Sequence, residues 1–204
     1  WLREKLWIPA LIRERLGLES ATAVVLYQGN LMTERGIEDS MDAILQVPAA
    51  VLVLLGYGGS REEYAARVSQ PPYRGRVHLI DAVPPGELLN WTASADILVM
   101  AIQPTTLNHR LTTPQKLFEA MAAGVPVVAS DLPGMASIVT ATGCGRLCDP
   151  TSPSSIAAAI RAILDLAPVE RDVLRARALA AAHETYNWEA QLGVLRALYG
   201  RVCR

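Results

Sequence analysis

The chain has 204 residues, 19 basic against 20 acidic, for a formal net charge of −1. That balance leaves no strongly basic footprint and excludes a nucleic-acid partner held mainly by phosphate contacts. Hydrophobic residues make up 51% and charged ones 19%; this is ample for a core, too apolar for disorder, and without any run near the ~20 residues of a membrane span.

Trp1 to Leu16 reads as a helix interrupted by Pro9, with a wet face of Arg and Glu, stopped by Gly17. Ala21 to Tyr27 is an apolar run of strand length. Helical spacing follows over Ile37 to Val47. Val51 to Leu55 is a second buried strand, Arg61 to Val68 a helix, Arg76 to Ile80 a third strand, Pro85 to Thr92 a short helix, and Asp96 to Met100 a fourth strand. A long polar loop, Ile102 to Thr113, leads to a helix over Pro114 to Ala123, with Thr113 as its cap and Pro114 at its first position. Val125 to Ala129 is the fifth strand, Gly134 to Val139 one or two helical turns, and Gly145 to Cys148 the sixth strand. Helices over Pro153 to Leu164, Glu170 to Glu184 and Trp188 to Val202 close the chain.

Strands and helices alternate, and most strands are unbroken apolar runs. The pattern predicts an α/β fold, a doubly wound parallel sheet of six strands with the C-terminal helices packing back on it. Ligands of such sheets bind beyond the carboxyl ends of the strands, so the loops after Tyr27, Leu55, Ile80, Met100 and Ala129 are the ones to search. The three cysteines, Cys144, Cys148 and Cys203, form no regular framework and read as reduced thiols in a cytoplasmic protein. No second pair or nearby His makes Cys144 and Cys148 a metal site. The opening at Trp1, already helical and without Met, reads as part of a longer protein, and no signal peptide is visible.

After the first strand, Gly29 to Gly36 carries two glycines, with Arg35 just before a helix N-terminus. That arrangement suits a phosphate, or is a surface turn with a solvated arginine. Gly56-Tyr57-Gly58-Gly59 is half of a dinucleotide fingerprint, lacks the third spaced glycine, and reads as close backbone approach rather than an NAD site. Pro84 and Pro85 stiffen the third loop and leave the N–H and C=O of Val83 free for a planar base edge. His109, in the long loop, is either a functional group or a loop residue. Lys116 and Glu119 lie three apart on a helix otherwise made of Leu, Phe, Ala and Met. They form a surface ion pair, or face a ligand: the carboxylate can accept two hydroxyl hydrogen bonds of a ribose and the ammonium can meet a phosphate.

The order YQGN…ERGIEDSMDAI, LVLLGYGG, RVHLIDAVPPGELLNWTASADI, TPQKLFEAMAAGVPVVASDLPG, GCGRLCDP resembles the C-terminal, donor-binding half of family-4 glycosyltransferases of the GT-B fold, from about Leu11 to about Tyr199. The resemblance implies a Rossmann-like domain that binds a nucleoside-diphosphate sugar, of UDP or GDP type, as substrate, without a required metal or other cofactor. It implies transfer with retention to an acceptor, a saccharide or glycolipid, held by the protein's own N-terminal domain. Arg35, Lys116 and Glu119 become the catalytic set: Glu119 for the ribose hydroxyls, Arg35 and Lys116 for the diphosphate. Gly29, Asn30, Gly56, Tyr57, Val83, Thr113, Pro114 and Gln115 become the nucleotide-sugar contacts, with the Val83 backbone at the base.

Two positions depart from the family pattern. Asn30 replaces a phosphate-binding arginine, and Leu111 replaces the first motif glutamate. The implied division is an interdomain helix over residues 1–20, the donor domain over 21–185, and a crossing helix over 186–204. Apolar surface at Trp1, Leu2, Trp7 and Trp188 would face the other half. The expected setting is bacterial polysaccharide or glycolipid synthesis, cytoplasmic or peripheral at the inner face of the membrane. Alternatives are a GT-B sugar-nucleotide epimerase, or a degenerate non-catalytic module, for which Asn30 and Leu111 speak.

Overall fold

In the computed structural model, residues 10–202 are described; Trp1, Leu2 and Trp7 lie outside them. Six strands form one all-parallel sheet: β1 (Ala23–Asn30), β2 (Ala50–Tyr57), β3 (Val77–Asp81), β4 (Ile97–Met100), β5 (Val127–Ser130) and β6 (Gly145–Cys148), in the order β3-β2-β1-β4-β5-β6. The order reverses between β1 and β4. A crevice opens at such a switch point, beyond the carboxyl ends of the strands.

Alternate residues of the strands feed two cores. Val24, Leu26, Val53, Leu55, Leu98 and Val127 face α1 (Leu11–Leu16), α4 (Leu88–Ala93), α6 (Gln115–Ala122), α7 (Pro133–Thr142) and α9 (Pro168–Glu184). Val25, Tyr27, Leu52, Leu54, Val99 and Val128 face α2 (Ile37–Leu45), α3 (Arg61–Val68) and α8 (Pro153–Leu164). Burial on both sides explains why the strands lack a polar alternation. Arg13 ties α1 to the sheet through an ion pair with Asp96, whose Oδ2 also accepts the N–H of Val24 at 2.7 Å. The last helix, α10 (Trp188–Val202), buries none of its residues.

Several boundaries differ from expectation. The long loop contains a fifth helix, α5 (Leu107–Leu111), started by the Thr106 hydroxyl accepting the N–H of His109 at 3.1 Å. Pro114 itself caps α6, extended at φ −68° and ψ 142°, so Thr113 is not the cap and Pro114 is not the first helical residue. The first turn of α6 closes from Leu117 N–H to the Pro114 carbonyl at 2.9 Å. Helix α4 begins at Leu88, because residues 84–87 turn on a bond from Glu87 N–H to Pro84 O. Helix α7 runs for ten residues to a left-handed Gly143.

Candidate functional site

The carboxyl ends of β1 and β2 approach very closely. A Cβ on Gly56 would lie 1.8 Å from the carbonyl oxygen of Gly29, so only glycine fits there. Beside this pair opens a cavity of about 400 Å³, lined by Gln28, Gly29, Gly56, Tyr57, Val83, Gln115, Lys116 and Glu119, with Leu88 and Pro85 at its apolar side. Helix α6 enters with its first turn, so Gln115, Lys116 and Glu119 are carried to one wall.

Lys116 and Glu119 do not pair with each other. Lys116 Nζ lies over the ring of Tyr27, 3.9 Å from its centroid, and 3.5 Å from where a Cβ on Gly29 would stand. This is a cation–π contact in a partly desolvated place. Burial lowers the Lys116 pKa to about 7; the charge of Arg35 acts in the same direction and that of Glu119 against it. Tyr27 is held by its hydroxyl donating to the Asn30 carbonyl at 2.7 Å, and burial raises its pKa. The Glu119 carboxylate instead accepts from the Gln28 amide, Nε2 to Oε2, at 2.6 Å. The Gln28 Oε1 accepts in turn from the hydroxyl of Thr92 on α4 at 2.7 Å.

Seven of the expected site residues thus meet around one cavity: Gly29, Gly56, Tyr57, Val83, Gln115, Lys116 and Glu119. Arg35 does not line it, and acts on Lys116 through its charge. Asn30, exposed at the end of β1, turns its amide to Met32 Sδ at 3.0 Å. Pro114 sits at the head of α6 outside the cavity. Thr113 lines a different cavity of about 470 Å³ with Phe118, Ile138, Tyr186, Asn187, Trp188 and Gln191. His109 is buried, with Nδ1 2.9 Å from the Thr105 hydroxyl, and lines neither cavity.

Gln28 and Thr92 were not anticipated. Gln28 had a signal, since with Asn30 it is one of two strongly polar side chains at the carboxyl end of an otherwise apolar strand, and the one nearer its buried middle. Thr92, inside a short helix, had none. Among the described residues, no three His, Cys, Asp or Glu side chains gather as a metal site, and no helix is long and apolar enough to cross a membrane. Cys144 and Cys148 are buried free thiols.

Comparison with known proteins agrees with this architecture. D-inositol 3-phosphate glycosyltransferase of Xylanimonas cellulosilytica is 27% identical over 201 residues, 95% of this chain and 46% of that protein. Sucrose-phosphate synthase of Thermosynechococcus elongatus superposes with a TM-score of 0.75 at 28% identity, over 97% of this chain and 51% of the other. HepE of Anabaena, solved in complex with UDP and with UDP-glucose, shares the fold; its UDP complex has a TM-score of 0.78 at 19% identity, over 94% of this chain and 52% of that one. The chain spans about half the length of the curated relatives it matches. The family description Glycosyl transferases group 1 matches residues 22–166: this chain belongs to the group 1 glycosyl transferases.

Proposed function

We propose that this chain is the donor-binding half of a retaining glycosyltransferase and that its cavity takes a nucleoside-diphosphate sugar. The observation that carries the reading is the convergence of Lys116, Glu119, Gly29, Gly56 and Val83 on one cavity at the carboxyl ends of β1 to β3. Glu119 has one oxygen held by Gln28, and its second oxygen accepts the ribose hydroxyls. Lys116 and Arg35 stabilise the negative charge that grows on the leaving diphosphate, an electrostatic role needing no nucleophile from this half. The backbone of Val83 meets the base, and Gln115, the one of the three residues 113–115 that lines the cavity, lies toward the sugar. The binding of UDP and UDP-glucose by a protein of the same fold supports a UDP donor, with GDP the other type to test. The acceptor, a saccharide or glycolipid, belongs to an N-terminal domain outside this chain, and the protein works in the cytoplasm or at the inner membrane face. Residues 1–20 and 186–204 then join the halves, and residues 21–185 form the donor domain.

Calorimetric titration with UDP, GDP and ADP, on wild type and Glu119→Ala, tests this. One nucleotide is expected to bind preferentially, with the mutant about 1–3 kcal/mol weaker, the loss for a charged hydrogen-bond partner. Equal affinity in the mutant removes the ribose role. The absence of binding by a folded wild-type protein favours the degenerate module, toward which exposed Leu111 and the exposed amide of Asn30, turned to Met32, point.

A further inference from the structure

The hydrogen bond from Gln28 to Glu119 is one link of a chain that continues to Thr92, a residue outside the cavity. Gln28 is 1% exposed and Thr92 is fully buried. They stand on different elements, β1 and α4, and the carboxylate they reach is on a third, α6. Glu119 as a carboxylate only accepts, so the amide nitrogen of Gln28 must face it. The amide oxygen then faces Thr92, whose single proton lies between Gln28 Oε1 at 2.7 Å and the Leu88 carbonyl at 2.9 Å. The acceptor-only carboxylate thereby sets the sense of the amide, and the Thr92 hydroxyl ties down the amide's other end by donating to its oxygen.

A glutamate on a helix has three rotatable bonds, and one at a cavity wall has water as an alternative partner. Locking it in the bound geometry removes an ordering cost from ligand binding. Gln28 and Glu119 both line the cavity, whereas Thr92 does not.

We propose that Gln28 and Thr92 are positioning residues that aim the Glu119 carboxylate at the ribose diol, so that the site discriminates ribonucleotides from 2′-deoxyribonucleotides. The proposal rests on the reading of Glu119 as the ribose-binding carboxylate. Gln28 fixes one carboxylate oxygen and leaves the other for the sugar hydroxyls. A flipped amide would set its oxygen against the Glu119 carboxylate, and Thr92, donating to the amide oxygen, anchors the side chain in the sense the carboxylate demands.

The test is titration of the protein with UDP and GDP, each beside its 2′-deoxy counterpart. The quantity read is the ratio of the two dissociation constants. Thr92→Val and Gln28→Met, near-isosteric and apolar, are expected to shrink the ribo preference about three- to tenfold, the worth of one hydrogen bond. Thr92→Ser, which restores the hydroxyl, is expected to restore the ratio. A merely structural role would lower the melting temperature or weaken both ligands alike, leaving the ratio unchanged.

Glu119→Ala separates the two levels of the argument. If it abolishes the preference while Thr92→Val and Gln28→Met keep it, the positioning role is overturned and the ribose reading stands. If Glu119→Ala also keeps the preference, or neither ribonucleotide binds, the ribose reading falls and the positioning role falls with it.

Discussion

Lys116 lies with its ammonium over the Tyr27 ring, and Arg35 and Glu119 both bear on it electrostatically. With its pKa lowered to about 7, the side chain is half charged near neutrality in the free protein. A diphosphate beside it would favour the charged form, so the complex holds more protons than the free protein between pH 7 and the bound pKa. Affinity for a nucleoside diphosphate is therefore expected to fall as pH rises from 7 to 9, by up to about tenfold per pH unit. Calorimetry in buffers of different ionisation enthalpy would report proton uptake on binding; Lys116→Met should abolish both effects, and a flat profile in wild type would refute the role. Stability follows the same group. Unfolding returns the lysine to its ordinary pKa of 10.5, so the unfolded chain binds the extra proton. The penalty is full below pH 7 and fades toward pH 10.5. In the absence of nucleotide, Lys116→Met should stabilise the protein at pH 7 by roughly 1–3 kcal/mol, the usual cost of a poorly compensated buried polar group.

Among the elements, the strand ends are the least tolerant part. Gly56 and Gly29 face each other across β1 and β2, where a methyl group on Gly56 would strike backbone. Gly56→Ala must push the two strands apart at the mouth of the cavity, and is expected to destabilise by about 1–3 kcal/mol, or roughly 2–12 °C in a domain of this size. Gly59→Ala, three residues on and with open space around it, is the control and should be nearly neutral; equal effects from the two would show that steric contact is not the cause. These strands were legible because parallel strands buried on both faces read as continuous apolar runs. Helix α5 was not: it has five residues, is polar, and is nucleated by one Thr106 hydroxyl that any loop threonine resembles. Lys116 and Glu119 were legible as charges out of place on an apolar helix. Their actual partners were not, because Gln28 is 91 residues from Glu119 and 64 from Thr92, and only the packing of β1, α4 and α6 brings them together.

Across the described residues, α10 is the helix with the least burial, although its first turn lines a cavity with Thr113, Phe118 and Ile138. It is 15 residues long and none is buried, with Trp188 70%, Tyr199 61% and Val202 72% exposed. A helix of this length is marginal in water without tertiary support, and so much exposed apolar side chain marks a contact surface. The proposed other half of the protein is the occupant that fits a chain spanning about half of its relatives' length. The domain below this helix closes without it. Tyr186 already packs on Phe118, ring centroids 5.4 Å apart, and the Asn187 amide already donates to the His183 carbonyl at 2.7 Å. Truncation after Asn187 is therefore expected to change the melting temperature by less than about 2 °C, which corresponds to under 1 kcal/mol at this size. It should also leave nucleotide affinity intact, because no residue of α10 lines the cavity at β1 and β2. Self-association in sedimentation should fall in the truncated chain. A large drop in melting temperature would instead make α10 part of this domain's own support, and would assign its apolar residues to stability rather than to contact with another half.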